Sequence, residues 1–318
     1  MDRSDVQWRG YYAALPTPFT ESGELDLESL QQATELFIEQ GAHGLLVNGS
    51  TGEWTAQTHS ERKAVTESVI AAAGGRVPVL VSATSAELGV SVDLIRHAAA
   101  AGADSVLLTP PPGARLTDSE LDWYYRKAFG ETELPCWLYN FPQESNSSLS
   151  IPLIERLAAI ENVVAIKQST PDDREFYATI RAVGDELVVF GHMLSRIGLA
   201  LIHSGQGGDG HFGSGMPLGA QMPQFFEHAW RGELAEAAAI ADRFDALMGA
   251  IRQGSDGYNW RFGGMQAALK AVMNLQGQPG GYPRKPKLPI TDHESLELMA
   301  AALRDAGADA GVRAATND

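Results

Sequence analysis

Cysteine is almost missing from this chain: Cys136 is the single one in 318 residues. It can form no internal disulfide, and the eight histidines are scattered, so no Cys/His cluster has the spacing of a structural zinc site. Positive charge is also scarce. Lys and Arg number 24 against 40 Asp and Glu, a net charge of −16. That balance argues against nucleic acid or an anionic membrane as a partner, because both attract basic patches. No apolar run approaches a bilayer span, and the start, MDRSDVQWRG, lacks the apolar core of a signal peptide. A soluble cytoplasmic protein is expected. The rest is ordinary for a globular protein: 44% hydrophobic and 20% charged, with length for two small domains or one large α/β barrel.

Short apolar runs recur about every thirty residues. They are Tyr11–Phe19, Gly44–Ser50, Val77–Ala83, Ser105–Pro110, Cys136–Phe141, Val163–Ser169 and Leu187–His192, followed by a weaker glycine-rich run, Gly207–Gly215. They are apolar throughout, as strands covered on both faces should be. Helix punctuation lies between them. Asp26 opens a stretch with Leu27, Leu30, Ala33 and Phe37 on one face, ending at Gly41. Thr58–Glu61 and Thr117–Glu120 read as capping boxes, and Ser169-Thr-Pro171-Asp172 reads as a cap before proline at the first helical position. Eight strand–helix units over roughly 215 residues, near the usual barrel length of about 250, favour a closed (β/α)8 TIM barrel over an open sheet.

The rhythm stops after about Met216. The stretch from Gln221 to Leu275 reads as helical, interrupted by a loop at Gly254–Gly264, and a Pro-rich connector leads to a last helix from Asp292 to Ala306. The final residues, from Gly307, carry no pattern. The expected division is a catalytic barrel over 1–220 and a C-terminal helical extension over 221–318 packed on it.

In a parallel barrel the chemistry sits at the C-terminal strand ends. Lys167 interrupts Val163-Val-Ala-Ile166, where its amine would be desolvated. Desolvation lowers an amine pKa and makes a nucleophile that attacks ketones to form a Schiff base. The pattern alone fits more often a strand-end lysine that snorkels to solvent or pairs with a carboxylate. Tyr139 could shuttle protons near the mouth or simply cap the barrel core. Asn48-Gly-Ser-Thr-Gly-Glu53 offers two hydroxyls and glycine-exposed amides suited to a carboxylate or phosphate, or is a turn leading into a helix. Two motifs decide nothing. Gly205–Gly210 matches GxGxxG but follows a helical pattern, and Asn48–Gly52 nearly forms a nucleophile elbow but begins with Asn. His192 is at a strand end and His211 near one, with no partner set for a metal.

GSTGE at Gly49–Glu53, YNFP at Tyr139–Pro142 and Lys167 occur together in that order. The combination resembles the dihydrodipicolinate synthase/N-acetylneuraminate lyase family of class I aldolases, from TPF at Thr17–Phe19 to GGYPRKPKLP near the C-terminus. The resemblance implies that Lys167 condenses with the C2 carbonyl of pyruvate or another 2-keto acid. It implies that Gly49, Ser50 and Thr51 hold the carboxylate, and that Tyr139 moves protons, with Thr51 in the catalytic set. The imine is the electron sink, so no metal or organic cofactor is implied. The partners would be pyruvate and an aldehyde acceptor, in a homo-oligomer, tetramer or dimer.

The chain departs from the synthase pattern. The synthases carry an arginine five positions after the tyrosine, where this chain has Glu144. They have TPYYN after the fourth strand, where this chain reads Thr109-Pro-Pro-Pro-Gly113 with Pro112 at the interface tyrosine. Both departures argue against lysine biosynthesis. Ser50 and Ser214 look closer to the lyases, but His192 and Met193 stand where those have an acidic pair. Ser169, Gly191, His192, Phe212 and Ser214 are the expected acceptor-side residues, and Trp54 and Trp137 could add apolar surface or belong to the core. A Schiff-base lyase or aldolase leads. A dehydratase of 2-keto-3-deoxy sugar acids is the runner-up, and a non-catalytic pyruvate sensor and a nicotinamide-dependent oxidoreductase come from other classes.

Overall fold

A computed structural model describes residues 1–113, 115–170, 172–253 and 259–308. Eight parallel strands close into a barrel in sequence order. They are β1 (Gly10–Ala14), β2 (Gly44–Val47), β3 (Val79–Ser82), β4 (Ser105–Leu108), β5 (Cys136–Asn140), β6 (Val163–Gln168), β7 (Val188–Gly191) and β8 (Gly210–Ser214). Each lies inside an expected run except β1, which begins one residue early. Ser50, Pro110, Phe141, Ser169 and His192 fall just beyond their strands, in the loops of the catalytic face.

The outer layer comprises α1 (Leu27–Glu39), α2 (His59–Ala73), α3 (Leu88–Ala101), α4 (Asp118–Phe129), the short α5 (Pro142–Ser145), α6 (Ile151–Ala158), α7 (Asp173–Val183), α8 (Arg196–Ser204) and α9 (Gln221–Trp230). Asp26 caps α1, and both capping boxes form, at Thr58/Glu61 on α2 and Thr117/Glu120 on α4. The expectation at Ser169–Asp172 is corrected: α7 begins at Asp173, and Asp172 is the cap, accepting from the Arg174 N–H. A carboxylate one turn later outcompetes the hydroxyls; Pro171 lies outside the described residues.

Helix α9 packs against β1 and α8 and is the barrel's own eighth helix. The expected boundary at 220/221 therefore falls in the loop before it. Beyond come α10 (Leu234–Ile251), a two-residue-per-strand hairpin of β9 (Arg252–Gln253) with β10 (Asn259–Trp260), then α11 (Met265–Leu275) and α12 (His293–Asp305). The expected loop at Gly254–Gly264 thus contains one arm of a hairpin; residues 254–258 lie outside the described residues, as does the unpatterned tail from 309. Among the described residues no helix is long and apolar enough to cross a membrane.

The barrel interior is aromatic. Tyr12, Trp137 and Phe190 are fully buried, with ring centroids 5.0–6.5 Å apart, and Trp137 stacks on Trp8 at 5.2 Å. The glycines of β8 answer this bulk. A Cβ on Gly210 would stand 2.4 Å from the Phe190 ring, and one on Gly213 would collide with the Tyr11 phenol. The eighth strand looks weak in sequence because its neighbours fill the space its side chains would need.

Candidate active site

Lys167 lies near the end of β6, in register with Tyr139 of β5 and Phe190 of β7. Its Nζ sits 4.2 Å from the centre of the Tyr139 ring and 4.8 Å from that of Phe212. Removal from water among these rings lowers the amine pKa to about 7, against a smaller opposing pull from the Glu144 carboxylate. Tyr139 stacks on Phe141 with a centroid distance of 5.4 Å, so its ring is held face-on to the amine.

Opposite the amine stands the turn after β2. Gly49 is extended, Ser50–Gly52 form one 3-10 turn, and Asn48 and Glu53 at its ends are left-handed, with φ of 56° and 57°. Side chains stabilise this unusual backbone. The Asn48 amide donates to the Arg62 carbonyl and the Thr66 hydroxyl at 2.9 and 3.0 Å. The buried Glu53 carboxylate accepts from Lys270 of α11 at 2.6 Å, and Lys270 also donates to the carbonyls of Thr17 and Tyr282, at 2.7 Å each. Gln266, one turn earlier on α11, donates to the Ser50 carbonyl at 2.9 Å. The Thr51 hydroxyl donates to Ser214 of β8 at 3.2 Å, which links the turn to the far wall of the mouth.

Glu144, at the position where the synthase pattern has arginine, is tied into this turn. Its carboxylate accepts from the Ser50 hydroxyl and, at 2.6 Å, from the Trp54 indole N–H. Trp54 lies 5.2 Å beneath the guanidinium of buried Arg62, which is anchored on the carbonyls of Ser82 and Thr84. Trp54 therefore acts through Glu144 and does not line the cavity. Trp137 is barrel core, the second of the two readings its sequence position allowed, and neither tryptophan adds apolar surface to the cavity.

A cavity of about 450 Å³ opens above Lys167. Of the residues expected in the site, Gly49, Ser50, Thr51, Tyr139, Lys167, Ser169, His192, Phe212 and Ser214 all line it. Gly191 does not. A Cβ there would lie 2.3 Å from the Phe176 ring, so the glycine makes room for α7. His192 is at the rim, its Nε2 3.1 Å from the Thr170 carbonyl. His211 is buried, and the Leu194 N–H meets its Nδ1 at 3.3 Å. Burial, then the neighbouring cationic groups, holds its pKa well below the usual histidine value.

Sequence reasoning missed the outer wall, because it comes from the extension: Phe244 and Met248 on α10, Arg252 and Trp260 on the hairpin, Met265 and Leu269 on α11. It also missed Lys270. The available signal was a lysine within the otherwise apolar helical face of Ala267, Ala268, Ala271 and Val272, the same kind of interruption that marked Lys167 in its strand.

A desolvated lysine under a tyrosine at the mouth of a (β/α)8 barrel defines the class I, Schiff-base carbon–carbon lyases. The profile of the dihydrodipicolinate synthetase family matches residues 7–304, and the chain belongs to that family. It is 29% identical over 293 residues to a 4-hydroxy-tetrahydrodipicolinate synthase of Oceanobacillus iheyensis, covering 92% of this chain and 95% of the relative. An uncharacterized DapA-like lyase of Rhizobium meliloti is 29% identical over 291 residues, covering 90% of this chain and 92% of the relative. Among solved structures, a dihydrodipicolinate synthase from Thermotoga maritima superposes with a TM-score of 0.84 at 26% identity, covering 95% and 99% of the two chains.

Proposed function

We propose that Lys167 attacks the C2 carbonyl of pyruvate and that the resulting enamine makes or breaks a carbon–carbon bond to an aldehyde. The observation that carries this reading is the Lys167 amine, with a pKa near 7 and 4.2 Å from the Tyr139 ring. At neutral pH a large fraction of such an amine is unprotonated and nucleophilic, while the tyrosine stands beside the nitrogen where protons must be moved. The Gly49–Thr51 turn supplies hydroxyls and backbone amides for the keto acid's carboxylate. Ser169, His192, Phe212 and Ser214 line the acceptor side. A related structure, the synthase of Acinetobacter baumannii, 25% identical with a TM-score of 0.81, is complexed with pyruvate, which supports the choice of donor.

The acceptor differs from that of the synthases. Glu144, fixed by Ser50 and Trp54, presents a carboxylate where a carboxylated aldehyde would need a cation. The chain is read as a lyase or aldolase outside lysine biosynthesis, working as a homo-oligomer.

Incubation with pyruvate and borohydride, followed by intact mass and peptide mapping, tests the donor step. A reduced adduct on the peptide containing Lys167 is expected, and Lys167→Ala should abolish both adduct and turnover. An adduct at another lysine, or an active Lys167→Ala enzyme, would sink the assignment.

A further inference from the structure

The acceptor side of the cavity has its own chemistry. Its outer wall is built by the C-terminal extension, and Phe244, Met248, Trp260, Met265 and Leu269 form most of it. The barrel adds Phe141 and Phe212, the latter with its ring centre 4.8 Å from Lys167 Nζ. Flat aromatic rings and methionine side chains make a surface that accepts an apolar, planar group, with methionine adapting to its outline. Trp260 is itself backed by the Arg252 guanidinium, 5.2 Å over its ring, which presents the indole as part of a supported wall.

Other acceptor classes meet poorer partners here. A polyhydroxylated aldehyde would find hydrogen-bond partners on the barrel side, at Ser169, His192 and Ser195, but any hydroxyl turned toward the outer wall would lose water without gaining a partner. A small carboxylated aldehyde would meet the carboxylates of Asp173 and Asp245, exposed at the rim, with the Glu144 carboxylate behind Ser50 adding like charge. Arg252 is the one cation, besides Lys167, in the described lining.

From this we infer that the acceptor is an aryl aldehyde, seated with its ring against Phe244, Met248 and Trp260 and its carbonyl carbon over the enamine. The inference rests on the Schiff-base reading above. The Lys167 imine of pyruvate loses a C3 proton to become an enamine. Its C3 electron pair forms the new bond to the aldehyde carbon, and the aldehyde's carbonyl electron pair takes up a proton to become a hydroxyl. Water then cleaves the iminium, releasing a 4-aryl-4-hydroxy-2-keto acid and the free amine. The reverse sequence cleaves the same compound to pyruvate and the aryl aldehyde.

The test uses the full-length protein in two stages. Borohydride trapping with pyruvate alone first establishes the adduct at Lys167. Condensation of pyruvate is then compared for benzaldehyde, glyceraldehyde and succinic semialdehyde by following the 2-keto acid product. Benzaldehyde should give a kcat/KM about tenfold or more above either of the others, a range set by complementarity of one pocket wall. Trp260→Ala and Phe244→Ala should each raise the benzaldehyde KM by about tenfold, with trapping of pyruvate at Lys167 serving as the check that each variant folds. No adduct would remove the Schiff-base reading and this inference with it. An adduct without benzaldehyde turnover, or a preference for glyceraldehyde or succinic semialdehyde, would overturn the aryl acceptor alone, and a preference for the semialdehyde would point to Arg252 as its anchor.

Discussion

A lysine is a nucleophile only without its proton, and Lys167 is set up to lose it. Its ordinary pKa of 10.5 falls to about 7 through burial among Tyr139, Phe212 and the barrel rings. Adduct formation with pyruvate should therefore rise with pH through an inflection near 7, measured by borohydride trapping at short times. An inflection above 9 would contradict the desolvated site. The same shift has a consequence for stability. Below the folded pKa both states carry the proton and the cost of the buried charge is present in full. Between about 7 and 10.5 the unfolded chain holds a proton that the folded chain has released, so the cost shrinks as pH rises. Lys167→Met should accordingly stabilise the fold more at pH 6 than at pH 9, by about 3 kcal/mol in denaturant unfolding. Equal gains at both pH values would mean that the amine is solvated. At this scale the sequence was informative where one charged residue interrupts an apolar run. It marked Glu144 as a departure but was mute about that residue's partners, Ser50 and Trp54, which lie 94 and 90 residues away and meet it only once the barrel has closed.

Strands covered on both faces are largely apolar, and for that reason seven of the eight could be read from runs of hydrophobic residues, while the eighth showed only as a weaker glycine-rich run. Helix starts governed by side chains within one turn, such as Thr58/Glu61 and Thr117/Glu120, were equally legible. Features set by tertiary packing were not. The β9–β10 hairpin has only two residues per strand, too few for any alternation to register. The site residues contributed by α10, the hairpin and α11 follow from how these elements fold over the barrel mouth, which no local pattern encodes. Helix α11 has a specific task there. Lys270 and Gln266 grip the Glu53 carboxylate and the Ser50 carbonyl, at 2.6 and 2.9 Å, and so hold the turn that faces Lys167. Burial lowers the Lys270 pKa to about 8, with Glu53 opposing the shift. Without Lys270 the buried Glu53 carboxylate keeps only Lys287, at 3.6 Å, and the Arg284 N–H, at 3.2 Å, so Lys270→Met should cost about 3 kcal/mol, the low end for breaking a buried pair, read as a lower urea midpoint, and should raise the KM for pyruvate. The double variant Glu53→Gln/Lys270→Met should recover much of the stability. A single variant as stable as the parent would show that the ion pair does not hold the turn.

At the scale of the whole molecule, barrel and extension are bound too closely to separate. Helix α9 completes the outer layer, and Met222, Phe225 and Phe226 on it are entirely buried. A chain ending at residue 220 would lose that cover. At about 1.5–3 kcal/mol for each large apolar side chain, three of them approach the roughly 5–15 kcal/mol by which a whole domain is stable. The same truncation removes Lys270 and leaves Glu53, 1% exposed, as an unpaired buried carboxylate. The fragment 1–220 should therefore aggregate or lack a cooperative transition, whereas the full chain should unfold in one step. Near-ultraviolet circular dichroism is a suitable probe, because Trp8 and Trp137 report on the barrel interior and Trp230 and Trp260 on α9 and the hairpin. Coincidence of that signal with far-ultraviolet loss of helix would establish one folding unit. A soluble 1–220 fragment with native-like ellipticity would instead make the extension a separable cover. The enzyme could then be built in two pieces, the donor chemistry of Lys167 in the barrel and the acceptor wall in the C-terminal part.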